Sequence, residues 1–173
     1  MTSPQTAATP VDTSSVTNRR NLRFNTTEDA IAEAERLAAA ERAGTLTRLG
    51  NWTLAQALGH MAAWAEYSYT GAPLKVPLPI RLMLRLGKKK FLSQPMRAGV
   101  KIPKVPGGTL AIDPMPLDEA LPRFRSAMER LKREAPQKPN VIFGPLTQDE
   151  WINLNLRHCE LHLGFFQPSA SGT

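Results

Sequence analysis

Cysteine is almost missing: the single Cys159 in 173 residues leaves no internal disulfide and points to a reducing cytoplasm. No apolar run approaches the ~18 residues of a membrane span, which excludes a spanning helix of the ordinary kind. Internal repeats, Gly-rich phosphate loops, a Walker sequence, a Gly-x-Ser-x-Gly elbow and Cys-x-x-Cys pairs are all lacking, and the familiar nucleotide and hydrolase chemistries lose their support with them. Acid is missing locally. Residues 67–112 contain no Asp or Glu, but nine Lys or Arg residues and six prolines. The 15 prolines overall are too many for an uninterrupted helical bundle, so part of the chain must be irregular.

What is present suits one globular domain. Hydrophobic residues make up 42% and charged residues 21%, with a formal net charge of +7; such a chain can bury a core without staples. Residues 1–20 are rich in Ser, Thr, Pro and Ala, have little apolar surface to offset ordering entropy, and read as a disordered tail. The domain is expected over 21–168, with a short tail at 169–173. Arg19-Arg20 followed by Leu22 and Phe24 begins like a twin-arginine export signal, but a charged, alanine-rich segment stands where the apolar region should follow.

Helical periodicity starts at Thr26 or Thr27 and ends at Gly44, with Ile31, Ala34, Leu37 and Ala38 forming one stripe. A second helix starts near Asn51 or Thr53 and stops before Gly71. Within the basic stretch only residues 79–90 look helical. A third main helix is expected over about 116–135, with Pro122 in its tolerant first turn, and a fourth from the Thr147-x-x-Glu150 capping box to about Phe166.

The chain has three histidines. His158 and His162 lie four positions apart on the fourth helix, offset by only about 40° around its axis, so both side chains can reach one ion. They lie in line with Trp151 and Asn155, beside the apolar Leu154, Leu161 and Phe165, and should face the bundle. His60 lies on the second helix, flanked by Gln56, Trp64 and Tyr67. Three neutral imidazoles would hold a divalent metal and leave a position open, the pattern of a catalytic site. By spacing alone the commoner outcome is a core histidine satisfied by one hydrogen bond, since H-x-x-x-H is a weak motif with many accidental matches. Gln56 and Asn155 are candidates for orienting ligands or substrate. Cys159, about 100° round the helix from His158, belongs to the core, as do Trp52, Trp64 and Trp151. Glu66 and Glu160 fall out of phase with the histidines and are expected in solvent.

The segment 51–62, Asn-Trp-Thr-Leu-Ala-Gln-Ala-Leu-Gly-His-Met-Ala, together with Phe-Gly-Pro-Leu-Thr-Gln-Asp-Glu-Trp at 143–151 and Arg-His-Cys-Glu-Leu-His-Leu-Gly-Phe at 157–165, resembles the DinB/YfiT-like superfamily of metalloenzymes, in an uncharacterised (domain of unknown function) branch. The similarity covers about residues 19–166. It implies an all-α fold: a four-helix, up-down-down-up bundle in which the proline-rich basic stretch is the crossover between parallel helices two and three. It also implies a metal triad whose three positions fall on His60, His158 and His162, and a divalent ion such as zinc, nickel or iron as cofactor. Relatives include transferases that activate a low-molecular-weight thiol, so the implied partner is a small-molecule substrate, with a thiol as one form of it. No reaction comes with the branch; a thiol-dependent transferase and a metal-assisted hydrolase both fit the site, and a homodimer is left open.

A different class of function would use the crossover itself. Arg81, Arg85, Lys88, Lys89, Lys90, Arg97, Lys101 and Lys104 face no local acid and would suit an anionic partner or membrane surface without catalysis. Nucleic acid is not expected, since neither interleaved aromatics nor a reading helix accompany the charges. A plain solvated surface is the commoner outcome of such a run, and the one helical piece is short and bounded by proline.

Overall fold

The computed structural model describes residues 10–103 and 105–169. Six helices and one small sheet form it: α1 (Thr27–Arg42), β1 (Leu46–Arg48), α2 (Leu54–Thr70), α3 (Leu78–Leu86), α4 (Lys88–Ser93), α5 (Leu117–Arg133), α6 (Gln148–Leu163) and β2 (Phe166–Pro168). The four long helices carry the core, in which Leu37, Leu58, Met61, Phe124, Met128, Leu131, Leu156 and Leu163 are fully buried. Burying this apolar surface is the main force holding the bundle.

Each of three long helices begins in the same way. Thr26, Thr53 and Thr147 accept a hydrogen bond from the backbone three residues on, while Asp29, Gln56 and Glu150 reach back to the cap. Two otherwise unpaired amides are satisfied at each start. Thr147→Ala should therefore cost about 1 kcal/mol, or ~2–4 °C in melting temperature, without changing what the histidines bind. Thermal unfolding of the variant beside the wild type checks this; an unchanged midpoint refutes it.

Ion pairs fix the helix directions. Arg42 pairs with Asp118, Glu35 with Arg125 and Glu28 with Lys132, so α1 and α5 run in opposite senses. Glu66 meets Arg123, and the Tyr69 hydroxyl donates to the carbonyls of Arg130 and Glu134, so α2 and α5 run in the same sense. β1 follows α1 and β2 follows α6; their antiparallel pairing brings the ends of both helices together. Two parallel helices adjacent in sequence need a long return connection, and residues 71–116 supply it.

Several expectations need correction. The helix predicted over 79–90 is two helices broken at Gly87, whose φ of −88° and ψ of 5° end α3. The fourth main helix stops at Leu163 instead of Phe166, because Phe166–Pro168 pairs with β1. The tail expected over 1–20 lies outside the described residues up to residue 9, but 10–20 are packed on the domain. Asn51 exchanges two hydrogen bonds with the Val11 backbone, and Val16 packs against the core. Arg20 donates to the Phe166 carbonyl at 2.6 Å and pairs with Glu33, while Arg19 lies over the Phe165 ring. The twin arginines thus have structural partners. Of the tail expected at 169–173, residues 170–173 lie outside the described residues, as does Lys104.

Glu160, expected in solvent, is buried. It accepts from the Phe24 amide at 2.6 Å and pairs with Arg157 at 2.9 Å; Arg157, only 2% exposed, donates to the Phe24 carbonyl at 2.5 Å. The face opposite the histidines is covered by the chain that leads into α1.

Candidate metal centre

α2 and α6 pack side by side, and the three histidines meet between them. His60 Nε2 is 3.1 Å from His158 Nε2, which is 2.9 Å from His162 Nε2. The possible ligand atoms of all three lie within 4.8 Å of one another. His60 Nδ1 is 2.7 Å from the Leu110 carbonyl oxygen. A carbonyl can only accept, so Nδ1 carries the proton and Nε2 of the neutral ring presents a lone pair to the cluster.

That assignment leaves the cluster short of protons. If His158 Nε2 carries a hydrogen, it can donate to His60 or to His162, and the other contact has no hydrogen bond. If His158 Nε2 accepts from His162, it faces His60 lone pair to lone pair. With neutral rings at most one of the two short contacts is therefore a hydrogen bond, and a core-histidine account leaves the other unexplained. A cation at the point of convergence satisfies all three nitrogens. Two nitrogens that shared one ion at ~2.0–2.1 Å, at angles from ~90° to ~109°, would be ~2.9–3.4 Å apart, and the two short separations, His60 to His158 and His158 to His162, fall in that range.

Electrostatics favours the neutral form. Burial pushes His60 down to about 4, against the raising effect of its bond to Leu110. Burial likewise carries His158 and His162 well below the ordinary histidine range, with neighbouring imidazoles adding to the effect. Neutral imidazole is the ligating form. Burial also raises the Cys159 thiol, which leaves it an inert core residue as its phase implied.

The walls are aromatic. Trp52 stacks on His162 with centroids 5.0 Å apart, and Trp64 meets His60 and His158 edge-on. Trp151 belongs to the main core and Trp52 packs against it, as expected; Trp52 and Trp64 also pack on the imidazoles. The Trp64 indole N–H is buried without a hydrogen-bond partner. Neither residue expected to orient ligands makes a hydrogen bond to a histidine among the described residues. Gln56 closes the α2 capping box and donates to the Ile112 carbonyl, and Asn155 donates to the Trp151 carbonyl one turn back. The orienting group is the Leu110 carbonyl from the crossover, which no residue-type signal marks. Glu66, away from the histidines as expected, pairs with Arg123.

A family model described as "Protein of unknown function (DUF1569)" matches residues 16–169. No curated protein and no solved structure matches the chain.

Proposed function

We propose, from the premise that the chain belongs to the DUF1569 family of proteins of unknown function, that His60, His158 and His162 hold one divalent metal ion in a metal-dependent enzyme. The observation that carries this is the convergence of three Nε2 atoms with too few protons to satisfy one another. The opposite senses of α1 and α5 and the shared sense of α2 and α5 support an up-down-down-up bundle and, with it, a place in the DinB/YfiT-like superfamily.

His60, locked by Leu110, offers its lone pair from α2, and the pair spaced by four offers two more from α6. When bound, such an ion supplies Lewis acidity that favours the anionic form of a water or thiol nucleophile near neutral pH. Trp52 and Trp64 wall the cluster on two sides. A thiol-dependent transferase or a metal-assisted hydrolase acting on a small molecule follows; zinc, nickel and iron all suit three imidazoles. The cytoplasm is the compartment we propose, on the strength of the single thiol.

Protein made without a polyhistidine tag and reconstituted with zinc, nickel or iron should carry about one ion per chain, removable by a chelator. A chain that takes up none of the three after reconstitution refutes the site.

A further inference from the structure

We propose that the outer face of α3 is a docking surface for an anionic lipid membrane. α3 has no buried residue. Leu78, Leu82 and Leu86 recur every fourth position and Met83 lies beside them, 72%, 63%, 88% and 63% exposed. On a helix these positions form one continuous strip. A soluble surface scatters its exposed apolar side chains; a contiguous strip of four large ones marks a contact site.

The helix is held so that the strip faces outward. On its other side the Arg85 Nε donates to the Phe143 carbonyl at 3.0 Å, and Lys88, just beyond Gly87, pairs with Glu150 at 2.6 Å. Exposed Lys89 and Lys90 follow on α4 and exposed Arg97 lies just beyond it, all without an ion pair among the described residues, and no acid occurs between residues 67 and 112. Beside the start of α3 lies a cleft of about 450 Å³ lined by Lys75, Arg81 and Lys138 and by no acidic residue; the Arg81 Nε there is buried without a partner.

Apolar side chains flanked by cations fit the headgroup and acyl boundary of an anionic bilayer. The charges also decide between occupants. A symmetric pairing of two α3 faces would bring together two segments that carry cations and no acid, which costs free energy. Nucleic acid would answer the cations and leave the four apolar side chains in water. At nine residues between Pro77 and Gly87, α3 is suited to lying in the interface and not to crossing it; among the described residues no helix is long and apolar enough to span.

The test is flotation of the full chain with phosphatidylcholine vesicles, with and without phosphatidylglycerol. The wild type should float with the anionic vesicles only, and less as salt rises. Leu82→Gln with Leu86→Gln, which leaves the charge untouched, should weaken binding about tenfold or more. Lys89→Gln with Lys90→Gln should weaken it roughly thirtyfold at low salt. Circular dichroism verifies that both variants fold; should the leucine pair fail to, Leu86→Gln alone, at the most exposed position, must still lower binding. No flotation of the wild type, or binding indifferent to the leucine changes, overturns the proposal. So does a wild-type dimer, seen by light scattering, that the leucine variant splits.

Discussion

Replacing any one of His60, His158 and His162 by alanine is expected to abolish stoichiometric binding of a divalent ion, with the same outcome at all three positions. Each change leaves two ligands, although His60 stands far from the others in sequence. At a metal concentration ~100-fold above the dissociation constant, the wild type should gain ~2.7 kcal/mol, or ~5–10 °C in melting temperature. The variants should melt at one temperature with or without metal. Core histidines would behave otherwise, giving three unequal stability losses and no response to metal or chelator. The metal-free wild type supplies an independent check through pH. His60 titrates at about 4 when folded, against an ordinary value of 6.5. Above pH 6.5 the ring is neutral in both states and contributes no pH dependence. Below it the unfolded chain takes up a proton that the folded chain refuses, so stability falls as pH drops from 6.5 towards 4. The loss from this one ring is on the order of 3 kcal/mol. Unfolding curves across that window that do not move would contradict the neutral cluster.

The second large effect is expected at the buried pair that joins α6 to the chain ahead of α1. Arg157→Ala leaves the Glu160 carboxylate without its nearest cation in a buried site and strips the Phe24 carbonyl of its donor. Breaking a buried pair from one side costs about 3–5 kcal/mol, which for a domain of this size lowers the midpoint by ~10 °C. Glu160→Ala should be comparably damaging, because it strands the guanidinium and the Phe24 amide. Replacing both residues with apolar groups of similar volume should recover much of the loss. Chemical denaturation of the two single variants and the double variant measures this; additive losses would show that the pair is not coupled.

Much of the helical framework could be read from single residues. Thr147 with Glu150 marks a helix start unambiguously, and the same pattern at Thr53 with Gln56 was available to be read there. Convergence of the histidines followed from helical phase, since 158 and 162 share a face of α6 and His60 faces inward from α2. Phase misled at Glu160. It placed this residue correctly away from the histidines, but opposite the site does not mean in water, because residues 20–24 cross that face. Contacts of that kind join positions more than a hundred residues apart and leave no local periodicity. β1 and β2 were missed for the same reason: three residues each are too few to alternate visibly, and their pairing is itself long-range. At α3 the sequence marked a helical piece, but neither its break at Gly87 nor the outward direction of its apolar side chains.

The Leu110 carbonyl that steadies His60 is a backbone atom, and so no side-chain exchange can delete it. Its direction depends on the path of the chain, and the next residue, Ala111, adopts a φ of 55°, in the left-handed region that side chains other than glycine avoid. A replacement survey of this loop would therefore pass Leu110 over as tolerant, because every amino acid brings the same oxygen. Sensitivity would show instead as intolerance of insertions, deletions and β-branched residues around position 111, where the oxygen is aimed and not where it resides.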